Sequence, residues 1–169
     1  MDQSLINFAL YEDGTEYMGI AKATLPDLNF LTQVISGAGM SGNLEAVIVG
    51  HLDTMTLGLE FRTTTTQAIK LVEPRRHQID MRVAQQAENA VSGNLEISGV
   101  KHVFVVMPKG FKAGTVAPAS SADSSGEYAV RYWATYTDGK KTLELDPLNF
   151  ICNINGTDYL AEVRKVLGK

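Results

Sequence analysis

The segment Gly37-Ala38-Gly39-Met40-Ser41-Gly42 has the G-x-G-x-x-G spacing that lets a backbone approach a pyrophosphate closely. Glu60 stands 23 residues after Gly37, about where a dinucleotide-binding unit places its ribose-binding carboxylate. That chemistry needs a helix directly after the glycines, with its N-terminus facing the phosphates. Here Val47-Ile48-Val49-Gly50 follows, then strict alternation, so no βαβ unit is read. The segment reads instead as a flexible glycine loop. A nucleotide-binding enzyme using it is the rival that a helix after Gly42 would revive.

Other chemistry is sparse. His51, His77 and His102 do not stand at ligand spacing from one another or from Cys152, so no metal site is read. His51 and Asp53 share one face of a strand, a pairing that is usually structural. Arg75-Arg76-His77 follows a proline and reads as a solvated basic turn that could meet an acidic partner. Cys152 reads as buried and inert, and as the single cysteine it excludes an intrachain disulfide. Asn155-Gly156-Thr157 reads as a turn plus a helix cap rather than a glycosylation site. No nucleophile elbow, P-loop or metalloprotease helix occurs. No catalytic residue, cofactor or metal is expected. Tyr128, Tyr132 and Tyr136 read as one strand face with Trp133 opposite, suited to packing or to an interface. A monomeric β-sandwich that binds carbohydrate or protein through Tyr128, Tyr132 or Trp133 is the second rival.

The elements around these residues have a period of two. Met55, Leu57, Leu59 and Phe61 alternate with Thr54, Thr56, Gly58 and Glu60. Ile79, Met81 and Val83 alternate with Asp80, Arg82 and Ala84, and Leu143 and Leu145 with Thr142, Glu144 and Asp146. This is the signature of half-buried strands. Asp13-Gly14 and Asp138-Gly139 read as hairpin turns, and Ser92-Gly93 as a looser one joining His77–Gln86 to Asn94–Met107. A helix is expected over 64–72, with Thr64-Thr65-Thr66-Gln67 spaced as a capping box, and a second over 157–167. Residues 117–126 read as a flexible loop. The expected fold is mainly β, a single domain over 1–169. It is an antiparallel β-sandwich or barrel with a packed helix and an extended hairpin loop.

Residues 35–50, ISGAGMSGNLEAVIVG, fit that picture least. Ala46-Val47-Ile48-Val49 has no polar face, so it demands cover on both sides. A core strand supplies that cover, and so does a hairpin that reaches onto another subunit; periodicity leaves both open. The chain has 169 residues, 44% hydrophobic and 20% charged, with net charge -4, which argues against a protein that grips nucleic acid. The opening MDQSLINFALYEDG has no signal-peptide pattern, so secretion through a leader is not expected.

Several stretches together resemble the major tail tube proteins of contractile-tailed phages and phage-tail-like bacteriocins. They are Met18-Gly19-Ile20-Ala21 with Leu25-Pro26-Asp27-Leu28, Ser36–Gly42 and Leu52–Phe61. Arg131-Tyr132-Trp133 leading to Asp138-Gly139-Lys140-Lys141, then Leu145–Asn149, continues the likeness. Asn155–Leu160 with Arg164 and Leu167-Gly168 completes it. The order and spacing carry the resemblance, which lapses over Val72–Ala122. It implies hexameric rings stacked into a hollow tube, a fold shared with type VI secretion tubes, and assembly in the bacterial cytoplasm into a virion tail or bacteriocin particle. The implied partners are further copies, a sheath protein, baseplate and tail terminator proteins, a tape-measure protein in the lumen, and passing DNA in a phage. On this reading 35–50 is an extended inter-ring loop, with Gly37, Gly39, Met40, Val47, Ile48 and Val49 in contact, and Glu60 and Asp80 are lumen candidates.

Overall fold

The computed structural model describes residues 2–17 and 19–169, so Met18 of the resemblance lies outside the described residues. The strands are β1 (Asp2–Glu12), β2 (Thr15–Glu16), β3 (Ile20–Thr24), β4 (Phe30–Ile35), β5 (Leu44–Leu52) and β6 (Thr56–Phe61). After helix α1 (Thr66–Lys70) come β7 (His77–Glu88), β8 (Leu95–Lys112), β9 (Ser124–Thr137), β10 (Lys140–Asp146), β11 (Ile151–Ile154) and β12 (Thr157–Asp158). Helix α2 (Ala161–Leu167) closes the chain. One antiparallel sheet runs β12-β11-β10-β9-β8-β7-β1-β2, with β6 on the N-terminal half of β9 and β3 on β6. β4 and β5 form a separate two-stranded ribbon.

The alternation read from the sequence sets the core. Leu57, Leu59 and Phe61 of β6, Ile79 and Met81 of β7, and Phe104 and Val106 of β8 are buried in one cluster with Leu10, Tyr128, Trp133 and Leu145. The sheet therefore curls until β6 and β7, which β8 and β9 separate along its order, share a core. Of the helices, α1 is the packed one: Ala68 is buried, and Leu71 just beyond it is fully buried. No residue of α2 is buried.

Local readings are corrected in five places. The residues from Thr15 to Lys22 are not one strand: β2 pairs with β1 for two residues, and β3 joins β6 after Gly19, whose φ is 82°. The helix near 64–72 is capped by Thr65, whose side chain accepts from the Ala68 amide at 3.1 Å. The box based on Thr64 is therefore one residue out of phase. Thr157 lies in β12, so the last helix starts at Ala161, beyond Leu160. Ser124–Gly126, read as loop, pair with β6 as the start of β9. The tyrosines do not share a face. Opposite Val105 and Val106 stand Tyr132 and Val130, so Arg131 is an extra residue in β9. This bulge switches the parity of the strand. Tyr128, Val130 and Trp133 point into the core, while Tyr132 and Tyr136 are only half-buried.

Because Arg131 alone carries the switch, deleting it removes the bulge and leaves Val130 and Trp133 inward. Deleting Ala129 instead drives the strand one residue out of register. The Arg131 deletion is expected to unfold cooperatively in urea with a loss below about 2 kcal/mol. The Ala129 deletion is expected to lose native Trp133 fluorescence altogether.

Candidate assembly surfaces

The ribbon carries the residues singled out at 35–50. Gly37–Gly42 form the tip between β4 and β5, and no helix follows them. That removes the anchor a pyrophosphate would need. The ladder runs from Ile35–Leu44 to Thr32–Val47 and then jumps to Phe30–Leu52, leaving Ile48–His51 against Leu31 alone. Ile48–His51 thus bulge from the ladder, with Gly50 at φ 68°. A Cβ on Gly50 would fall 2.4 Å from Leu160, so only glycine lets the ribbon cross the start of α2 this closely. The Asp53 amide donates to the Asn29 carbonyl at 2.8 Å and closes the base.

The core-strand alternative for Val47–Val49 does not hold within the single chain. Val47 is 59% exposed, Val49 62% and Ile48 43%, and Val34, Ile35, Met40 and Leu44 are exposed beside them. Val47 and Val49 line an apolar groove of about 270 Å³ with Phe30, Cys152, Ile154 and Tyr159. Exposed Val163, Val166 and Leu167 add the apolar side of α2. An exposed apolar surface of this extent marks a contact site in a soluble protein.

Glu60 and Asp80 occupy outward positions on β6 and β7, which have two strands between them in the sheet order, and each has a cation beside it. Lys22 lies 3.7 Å from Glu60 and Lys101 lies 3.5 Å from Asp80. Tyr128 and Trp133 are buried, which removes two of the three residues of the binding-groove rival. Burial pushes the Tyr128 hydroxyl up to about 12, with the Glu12 charge adding to it. Cys152 is buried, and its thiol is pushed up by burial and then by Asp158, which disfavours the reactive thiolate. Among the described residues no cluster could hold a metal.

Sequence reasoning missed a polar cluster inside the fold. His77 is fully buried rather than in a solvated turn, because β7 begins at it and turns its ring inward. Its Nδ1 lies 2.6 Å from the Glu12 carboxylate and its Nε2 lies 3.0 Å from the Glu73 carbonyl. Glu12, also fully buried, accepts from the Tyr17 hydroxyl and lies 3.1 Å from the Arg75 guanidinium. No local spacing announces a pair 65 residues apart. The cluster ties β1 to β7 and to the turn after α1.

The sequence model for phage tail tube protein FII matches residues 2–168. The chain belongs to that family. The tail tube protein of Escherichia phage P2 is 26% identical over 173 aligned positions, covering 99% of this chain and 98% of that protein. Among solved structures, a chain of the anti-feeding prophage baseplate aligns with a TM-score of 0.42 at 10% identity. That alignment covers 80% of this chain and 93% of the other, and the likeness is too distant to carry an argument. For a tail tube protein, the exposed ribbon is the feature to explain, since the chain does not cover it.

Burial raises the pKa of Glu12, but the hydrogen bonds from Tyr17 and His77, and the His77 and Arg75 charges, more than offset this. The carboxyl is held below its ordinary value of 4.5. A depressed carboxyl stabilises the fold above its ordinary pKa, and that stability is lost as pH falls through the folded-state value. Glu12→Gln is expected to cost about 3 kcal/mol at pH 7 in urea titrations. The difference from the parent should narrow as pH falls below 4.5.

Proposed function

We propose that this protein is the structural subunit of the inner tube of a contractile tail or injection particle. Six copies form a ring, rings stack into a hollow tube, and sheath contraction drives the tube through the target envelope. In a phage the tube conducts DNA; in a bacteriocin-like particle it acts by puncture. Sheath, baseplate, tail terminator and tape-measure proteins are its partners.

The observation that carries the reading is the β4–β5 ribbon, an apolar hairpin anchored at its base whose Val34, Leu44, Val47 and Val49 stay mostly exposed on their own chain. Gly37, Gly39, Met40, Val47, Ile48 and Val49 contact the adjacent ring. Burying the side chains of Val47, Ile48 and Val49 contributes a few kcal/mol per subunit before ordering costs, at roughly 25 cal/mol per Å². Summed around a ring, that term favours long stacks. Donor and acceptor surfaces differ, so the contact is heterologous and propagates along the axis without closing. The net charge of -4 suits a conduit through which a polyanion slides.

The test is electron microscopy of the purified chain with light scattering over a concentration series, alone and with a baseplate seed. Stacked rings with six-fold end views are expected; a monomer under both conditions would end the tube reading. Val47→Asp with Ile48→Asp should give a folded, soluble chain that does not polymerise, and normal tubes from it would remove the ribbon from the contact. On this reading Glu60 and Asp80 face the lumen. Reversing both charges in a phage should slow DNA release while leaving assembly intact, and unchanged ejection kinetics would take them off the lumen wall.

A further inference from the structure

A second projection leaves the core where the family resemblance lapses. β7 and β8 continue past their last buried residues as a hairpin arm, with β1 alongside. Ala84–Glu88 alone extends it by about 17 Å at 3.3–3.4 Å per residue. The tip is ordered by its own turn. The Asn89 side-chain oxygen accepts from the Val91 and Ser92 amides at 3.0 and 3.2 Å, and the Asn89 amide donates to the Asn94 carbonyl at 2.9 Å. This ordered tip presents apolar side chains to solvent: Val91 is 98% exposed, Leu95 61% and Ile97 75%. Between the last two stands Glu96, exposed, whose carboxylate accepts from the neutral Asn89 amide group at 3.0 Å.

A groove of about 480 Å³ lies on the outer face of the same sheet. Its floor is Val103 and Val105, the outward residues flanking buried Phe104, and its walls include Arg76, Arg131 and Tyr132. Both arginines are exposed, and neither guanidinium has a hydrogen bond or ion pair with any described residue. The rim carboxylate, Asp146, is taken up by its own turn. Its oxygens accept from the Leu148 and Asn149 amides at 3.2 Å each and from the Asn149 side chain at 2.6 Å. Arg131 is here because of the bulge that turns it out of the core face. An apolar floor under two uncompensated guanidiniums, in a chain of net charge -4, fits an apolar segment that carries a carboxylate.

The arm tip is such a segment, and it cannot reach the groove of its own chain. Ile97 and Val103 are six residues apart on one continuous strand, about 20 Å. We propose that the Val91–Ile97 tip of one copy seats in the Arg76–Arg131 groove of a neighbouring copy. Val91 and Leu95 cover the valine floor, and the long side chains of the wall arginines reach past the strand to Glu96 on its other face. The inference rests on the tube-subunit reading, which supplies the neighbour, and it gives the arm a role within the ring, distinct from the ribbon's between rings. Tip and groove are different surfaces, so the contact is head-to-tail and closes into a ring when the rotation allows.

Two variants, Val91→Cys and Leu148→Cys, each with Cys152→Ala, are mixed at assembly concentration under mild oxidation. The expected product is a disulfide-linked dimer in the mixture and in neither variant alone. In parallel, Arg131→Glu should raise the concentration needed for assembly at least about tenfold, and adding Glu96→Arg should restore it to within about threefold. Circular dichroism and the unfolding midpoint of the unassembled variants should match the parent. A parent that forms tubes while the cross-link fails and the charge variants assemble normally overturns the arm contact and leaves the tube reading standing. A cross-link with charge rescue from a parent that never forms tubes supports the arm contact and overturns the tube reading. Failure of both assays rejects both.

Discussion

The β8–β9 ladder is the constraint from which the rest of the molecule follows. Its strands, Leu95–Lys112 and Ser124–Thr137, are far longer than one compact core can cover. The N-terminal half of β9 is shared with β6 and the C-terminal half with β10, while β8 continues through β7 to β1. Two strand sets thus hang on one spine and curl together around Phe104, Val106, Tyr128 and Trp133. The bulge at Arg131 lets one strand serve both sets, keeping aromatic side chains inward on either side of a change in parity. What the spine cannot cover projects, and the β7–β8 arm is the direct result.

Projection is costly for an isolated chain and useful for an assembling one. The ribbon and the arm expose Val47, Val49, Val91, Leu95 and Ile97. A protein that stayed single would leave this area in water, where the hydrophobic effect opposes it. The interior is built to hold such projections still. The close crossing of Gly50 over Leu160 fixes the base of the ribbon, and the Glu12 cluster fixes β1 against β7 at the end of the two strands opposite the arm. Buried ionic groups are poor sources of net stability, but they penalise any packing that separates them, which suits an element that must be presented in one orientation.

The readable parts of the fold were those in which one local signal has one cause. Leu57, Leu59 and Phe61 alternate because one face of β6 is core, and Asp138-Gly139 turns because a tight hairpin needs positive φ there. Legibility ended where two distant segments decide the outcome. His77 looked solvated beside two arginines, yet Glu12 draws it inward from 65 residues away. The tyrosine face was misread because a bulge carries no composition signal of its own. For residues 35–50 the pattern demands cover without naming its source, since a core strand and an exposed ribbon present the same run of apolar residues. The β7–β8 hairpin is legible in the sequence but its projection from the core is not, because Leu95 and Ile97 alternate with polar neighbours as any half-buried strand does; only the structure shows that the apolar side has nothing beneath it.

The central claim is that the exposed ribbon is covered by other copies of the chain. Hydrogen–deuterium exchange on the unassembled chain and on assembled particles tests this most directly. The account predicts that amides of Phe30–Ile35 and Leu44–Leu52 exchange rapidly in the single chain and are strongly protected in the assembly, while β8 and β9 change little near Phe104 and Trp133. Equal exchange of the ribbon in both states would contradict it.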